Sequence, residues 1–153
     1  MLRSLLIGLV AGQRAMTPLA LLSGAARRGD LPPGAPARDL LAHPLVALGT
    51  TALAAAEMAG DKMASAPDRT VPAGLLARSL TAGFAGAVLA PRGDRAAGAV
   101  LGIAAAIGAS YLGLALRRQA MDRYGQTESG FVEDAIVLMS GAAVTHLLER
   151  DRW

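Results

Sequence analysis

The feature that most limits the fold of this chain is an uninterrupted apolar stretch over residues 96–116, which contains 21 residues and no charged side chain. A membrane-spanning helix needs about 20 predominantly apolar residues. Because this stretch is apolar on every face, a helix formed by it needs lipid or a large protein core around it. A chain of 153 residues has little core to offer. The stretch therefore predicts a helix embedded in a membrane.

Four further apolar segments lie at residues 5–22, 40–60, 72–90 and 130–148. Polar connections that contain proline or glycine separate most of them. These segments reach spanning length only if charged residues near their ends pair or extend to the membrane surface. The pattern predicts an all-α, single-domain protein over residues 1–153, an integral membrane bundle of about five transmembrane or membrane-embedded helices. A soluble five-helix bundle is the alternative.

The composition favours close helix packing. Hydrophobic residues make up 53% of the chain but aromatic residues only 3%, and there are 18 glycines. Charged residues make up 18%, below the usual value of about 25% for soluble domains. Small residues let helices approach closely in lipid, although an Ala- and Gly-rich chain also generates such spacings by chance. Small residues recur at four-residue spacing around the predicted packing positions Gly8, Gly86, Gly98 and Gly102.

Arg14 lies near the middle of the first apolar segment. Its guanidinium stays charged at any relevant pH, and an intramembrane charge costs several kcal/mol unless it is paired or hydrated. Pro18 lacks an N–H group, so it removes the helical partner of the Arg14 carbonyl and predicts a helix break beside Gly12 and Thr17. This arrangement favours a ligand site or a hinge. The alternative is a kinked helix whose arginine pairs with a carboxylate.

Glu57 and Asp61 form the sharpest signal in the chain. Because they are four residues apart, they share one helical face. They lie at the C-terminal end of the second segment, where the helix dipole disfavours negative charge. The sequence therefore predicts that they are stabilised by Arg14, Lys62, Arg78 or a bound cation.

Glu133 and Asp134 open the fifth segment. Acids in a first helical turn are favoured by the dipole, so their position has a purely local explanation. They could equally be the second carboxylate pair of a central site. Together with Glu57 and Asp61, these acids carry four negative charges, and Arg14, Lys62 and Arg78 carry three positive ones, so the net charge of the seven is minus one. This net charge fits a self-neutralising salt-bridge network and also a site completed by one proton or monovalent cation. The candidates for substrate or ion binding are Arg14, Glu57, Asp61, Lys62, Arg78, Glu133 and Asp134.

Several function classes have no support in the sequence. The chain has no cysteine, which excludes disulfides and thiolate metal sites, and we predict neither a metal nor a cofactor. It has no nucleophile elbow, P-loop or dinucleotide fingerprint, so we predict that it is not an enzyme. No basic stripe alternates with aromatic residues, which argues against a nucleic-acid partner. The expected partner is the lipid bilayer, with a homodimer to complete any path across it.

The membrane orientation is undecided by this pattern. If there are five spans, the lysines and arginines other than Arg14 divide seven to seven between the two sides, so the positive-inside rule gives no direction. One hypothesis is a dual-topology dimer. The alternative is a miscounted span, such as a re-entrant first segment.

Five motifs occur together in a characteristic order: AGQRAMTP (11–18), AEMAGDK (56–62), DRTVPAGLLARSLTAGFAGA (68–87), RAAGAVLGIAAAIGA (95–109) and VEDAI (132–136). Over roughly residues 5–144 the chain resembles the bacterial membrane-protein family filed as domain of unknown function 4126. The resemblance implies a multi-pass protein of the inner membrane and no known activity. The recurring residues of that family correspond here to Gly12, Arg14, Glu57, Asp61, Lys62, Glu133 and Asp134.

Two functions compete at this point. The first is a small transporter or channel for an ion or an ion-coupled solute, because half-broken helices near the membrane centre recur in transporters. The alternative is a structural or accessory membrane protein whose charges form an internal salt-bridge network. A lipid-modifying enzyme would need a nucleophile or metal triad that is not visible. A water-filled cavity lined by Glu57 and Asp61 would favour transport, whereas a dry, paired Arg14 would favour a structural role.

Overall fold

The computed structural model of this chain describes residues 1–32, 34–60, 71–124 and 134–144, with the backbone alone at residues 117, 118 and 120–124. The described residues form helices and no strand, so the all-α prediction is confirmed. A single 3-10 turn at Arg92–Asp94 precedes the longest helix. The helices are α1 (Leu2–Gln13), α2 (Thr17–Arg28), α3 (Arg38–Ala42), α4 (Pro44–Gly60), α5 (Pro72–Leu89), α6 (Arg95–Tyr124) and α7 (Asp134–Val144).

The first apolar segment forms two helices. After α1 ends at Gln13, the backbone of Arg14 is extended, with φ −143° and ψ 115°, and α2 begins at Thr17 with Pro18 in its first turn. Proline suits that position because the N–H it lacks would have no partner within the helix. The break that the sequence predicts beside Gly12, Thr17 and Pro18 is therefore present. Pro18 begins the second helix and does not kink the first.

The chain reverses direction at this break, so α1 and α2 form a hairpin whose tip is residues 14–16. Near the start of α1, the hydroxyl of Ser4 donates to the carbonyl of Gly86 at 3.0 Å. The loop after α2 returns to the same end, where Gly34 lies against Arg92 and its carbonyl accepts from Arg95. Had α2 continued in the direction of α1, its length of about 18 Å would have carried this loop away from Arg92. Residues 5–22 are therefore not a single interrupted span.

The other apolar segments form helices with shifted ends. The segment 40–60 is divided into α3 and α4, because the residue before a proline disfavours helical geometry and His43 before Pro44 is extended. The charge-free stretch 96–116 lies inside the longer helix α6. Of the segment 130–148, the described part is α7.

The backbones of α1, α5 and α6 are in direct contact. Gly86 of α5 faces Gly98 of α6, and a Cβ atom on Gly102 would lie 2.5 Å from the carbonyl oxygen of Ala82. A Cβ atom on Gly8 of α1 would lie 2.5 Å from the carbonyl oxygen of Gly102. Only glycine fits such separations, so the four predicted packing glycines lie at the contacts between these three helices. This close approach supplies dispersion attraction along their length.

The register of these contacts places the hairpin tip halfway along the longest apolar helix. Gly8 lies against Gly102, and one helical turn further Gly12 lies against Ala106, so α1 and α6 run parallel. Ala106 is the central residue of the stretch 96–116. The tip follows directly after Gly12, and it is therefore positioned near the middle of that stretch.

Much of the apolar surface faces outward. The segments Pro72–Leu89 and Arg92–Leu116 are long and apolar enough to cross a membrane by length and composition, while α1, α4 and α7 are shorter apolar helices. Only 39% and 28% of the residues in the apolar 18-residue windows of these two segments are buried inside the protein, and the remaining residues are partly or fully exposed. The large side chains that are more than half exposed include Leu45, Leu48, Leu76, Leu80 and Leu112.

Candidate functional site

Arg14 is buried at the hairpin tip and pairs with Asp134, the first residue of α7. The side chain of Arg14 is 1% exposed and Asp134 is 7% exposed. Nε and Nη2 of Arg14 donate to Oδ1 of Asp134 at 3.2 and 2.5 Å. Further along α7, Gly141 lies against the side chain of Leu21 in α2. The ion pair therefore fixes the start of α7 on the hairpin, and Asp134 has a role beyond favouring a helix N-terminus.

Glu57 of α4 binds the backbone of the same tip. Its Oε1 accepts the N–H of Ala15 at 2.7 Å and its Oε2 accepts the N–H of Met16 at 2.8 Å. These groups directly precede α2, and the N-terminus of a helix presents unpaired N–H groups and a partial positive charge. Glu57 is thus stabilised by backbone donors. From the sequence only cations are predicted as partners of Glu57, because these backbone donors become available only where α1 ends.

Arg78 lies at the height of the tip on the neighbouring helix α5. Ser4 of α1 contacts Gly86 of α5, so in this antiparallel pair two turns further bring Gly12 level with Arg78. Arg78 is 8% exposed. The predicted residues Asp61, Lys62 and Glu133 lie outside the described residues. The four described members of the predicted cluster, two cations and two carboxylates, sum to zero charge.

Polar side chains also attach the last turn of α1 to α6. The amide of Gln13 donates to the carbonyl of Ala109 at 2.9 Å, and the hydroxyl of Ser110 donates to the carbonyl of Gly12 at 3.0 Å. The last carbonyls of a helix lack intrahelical partners. The single proton of the Ser110 hydroxyl is shared between one of these, that of Gly12, and the carbonyl of Ala106 in α6 at 2.8 Å. Thr17 is 3% exposed, and its hydroxyl has no hydrogen-bond partner within the described part of the chain. Neither Gln13 nor Ser110 is among the site residues predicted from the sequence.

A groove of about 370 Å³ opens between α1, α6 and α7. Its lining is mostly apolar, with Gln13 and Ser140 as the polar side chains. Arg14, Glu57 and Asp134 are not among its lining residues. Over the described ranges, no three acidic or histidine side chains gather closely enough to hold a metal ion. The charged tip is therefore a packed, internally paired cluster that is separate from this groove.

In comparisons with known proteins, no family model, no curated protein and no solved structure matches this chain. The resemblance to the membrane-protein family described above stays a prediction.

Proposed function

We propose that this chain is a membrane-embedded helical bundle with a structural or accessory role, and that its charged cluster is an internal network that holds the hairpin in place. The observation that carries this proposal is the burial of Arg14, the largest of the fully buried side chains, in an ion pair with Asp134. A charge in an apolar environment is tolerated when a partner neutralises it. A buried, paired arginine is what a structural role requires.

The membrane setting is supported by the outer surface and by the hairpin. A soluble monomer rarely exposes large contiguous apolar patches, whereas the two longest helices here bury less than half of their residues. Non-helical backbone at membrane depth is tolerated only where it is buried in protein or lines a water-filled cavity. At the tip, Arg14 and Ala15 are buried and the N–H groups of Ala15 and Met16 are bonded. We propose a re-entrant hairpin in a multi-pass protein of the bacterial inner membrane, the location that the family resemblance implies.

The hairpin changes the division of arginines between the two ends of the bundle. We call the end where α1 and α6 begin and α2 and α5 end the arginine end. Among the described residues outside the bundle centre, this end carries six arginines, and the last turns of α6 at the opposite end carry three. The described arginines therefore divide unequally between the two ends, whereas the five-span count divides the whole chain evenly. The six are Arg3, Arg27, Arg28, Arg38, Arg92 and Arg95.

We expect the arginine end to face the cytoplasm, because positively charged residues are retained on that side. The chain has no cysteine, so single cysteines report orientation directly. Gly93→Cys at the exposed turn before α6 is expected to resist a membrane-impermeant maleimide in intact cells, whereas Gln119→Cys is expected to react. Permeabilised cells are the control, in which both variants react. Equal labelling of the two variants in intact cells would instead support dual topology.

The structural role predicts that the purified protein, reconstituted in liposomes, conducts no protons, sodium or chloride. The flux of each ion is expected to equal that of empty liposomes.

Transport is the second candidate function, and one observation favours it. The helix break lies near the bundle centre, and its backbone N–H groups bind a carboxylate, as at the sites of many transporters. A measurable flux that Glu57→Gln abolishes, while circular dichroism shows an unchanged fold, would replace the structural proposal with transport.

A further inference from the structure

Two arginines at the start of α6 converge on one residue of the loop between α2 and α3. Nη2 of Arg95 donates to the carbonyl of Gly34. The guanidinium of Arg92 lies against the same glycine, where a Cβ atom would be 2.5 Å from its Nη2. Gly34 has a positive φ of 73°, a conformation that favours glycine. The loop therefore brings two guanidinium groups to one point on the surface of the bundle.

The end of the bundle around this pair is positively charged. The described acids at the arginine end are Asp30, Asp39 and Asp94, so its six arginines leave a net charge of plus three. Asp30 is already paired with Arg28 at 2.8 Å. Cations also meet an unfavourable dipole at the beginning of a helix, which is where the two converging arginines lie. An anion bound to the pair offsets both the mutual repulsion and the dipole.

The pair lies at the depth of the lipid headgroups in the proposed membrane setting. Ala106 is the central residue of the apolar stretch 96–116, and Arg95 lies eleven residues before it. This separation is about 16 Å along an α-helix, close to half of the roughly 30 Å thickness of the hydrocarbon core. Closer to the bundle centre, Ala97 and Val100 of α6 are exposed. The charged pair is therefore followed by apolar surface on its membrane side.

We propose that Arg92 and Arg95, positioned by the loop at Gly34, bind the phosphate of an anionic phospholipid whose acyl chains lie on the exposed surface of α6. A guanidinium binds phosphate oxygens through two parallel hydrogen bonds, and basic pockets between membrane helices recognise anionic headgroups. Within the described structure Arg95 donates only to Gly34, so N–H groups remain for the phosphate. Inorganic phosphate offers the same oxygens but no chains, so the neighbouring apolar surface favours the lipid. This inference rests on the membrane setting proposed above.

The first experiment measures the effect of lipid on stability in a nonionic detergent. Phosphatidylglycerol is expected to raise the unfolding temperature of the parent protein saturably, on the order of 5 °C. Phosphatidylcholine with the same acyl chains has no net charge and is expected to give at most a small shift, as is inorganic phosphate. An equal shift with phosphatidylcholine, or no shift with phosphatidylglycerol, would overturn the proposal. A full shift with inorganic phosphate would show an anion site that does not require a lipid.

Two single variants, each lacking one positive charge at the arginine end, separate a defined site from a general electrostatic attraction. Arg95→Gln is expected to lose most of the shift that phosphatidylglycerol produces. Arg27→Gln, at an exposed position in the last turn of α2, is expected to keep that shift. Equal losses in the two variants would show that the lipid responds to the overall charge of this end, and the site would be refuted.

Arg92 is exposed, so Arg92→Gln provides a second test if Arg95→Gln does not fold. Native mass spectrometry is expected to find one phosphatidylglycerol fewer on Arg92→Gln than on the parent and on Arg27→Gln. The same number of bound lipids on all three proteins would contradict the site.

These measurements distinguish a failure of the site from a failure of the proposed function. They are made in detergent, so their outcome is independent of membrane orientation and of the liposome flux. A chain that is folded and monodisperse without detergent would refute the membrane setting and the lipid site together. A chain that requires detergent and does not respond to phosphatidylglycerol would refute the lipid site alone.

Discussion

Replacing Arg14 with alanine is expected to lower the free energy of unfolding by about 3–5 kcal/mol, because it leaves a buried carboxylate without its partner. Asp134 is 7% exposed and accepts two hydrogen bonds from that guanidinium. The change also removes the largest fully buried side chain, which leaves a cavity at the hairpin tip. Reversible unfolding in mixed micelles, followed by circular dichroism, measures the loss.

Two comparisons separate charge pairing from a general effect of arginine removal. Arg27→Ala, at an exposed position in the last turn of α2, is expected to change stability little. The double variant Arg14→Met with Asp134→Leu removes both charges and is expected to be more stable than Arg14→Ala, since apolar pairs can replace buried ion pairs at small cost. Similar losses for Arg14→Ala and Arg27→Ala would show that the ion pair does not hold the hairpin.

Part of this site could be predicted from the sequence, since a permanently charged Arg14 in an apolar segment requires a partner. The sequence could not specify which acid it was, because Glu57, Asp61, Glu133 and Asp134 were all chemically suitable. The choice depends on the direction of the chain after residue 14. Proline in the first turn of a new helix and proline at a kink look alike in sequence. The reversal was therefore only one alternative, a re-entrant first segment, and the role of the backbone N–H groups had no signal in the sequence.

The packing glycines were likewise predictable from the sequence only in part. Four-residue spacing predicted that Gly98 and Gly102 lie at helix contacts, which the structure confirms. The spacing did not reveal that one stripe of small residues on α6 packs against two neighbouring helices. Gly98 meets α5 at Gly86 and α1 at Ser4, and Gly102 is close to both helices. A stripe of small residues specifies how closely a partner can approach and leaves the identity and number of partners undetermined.

Gly102→Ala and Gly108→Ala are expected to change stability unequally, although both replace a glycine in the same helix by alanine. A Cβ atom on Gly102 would lie 2.5 Å from the carbonyl oxygen of Ala82, whereas one on Gly108 would have nothing within 4 Å. Backbone cannot move aside as a flexible side chain does, so we expect Gly102→Ala to cost about 1–3 kcal/mol by overpacking. Gly108→Ala is expected to be neutral or to gain up to about 1 kcal/mol from helix propensity. Reversible unfolding in mixed micelles compares the two variants directly. If Gly108→Ala lowers the free energy of unfolding as much as Gly102→Ala does, the loss at position 102 does not come from the close contact between α5 and α6.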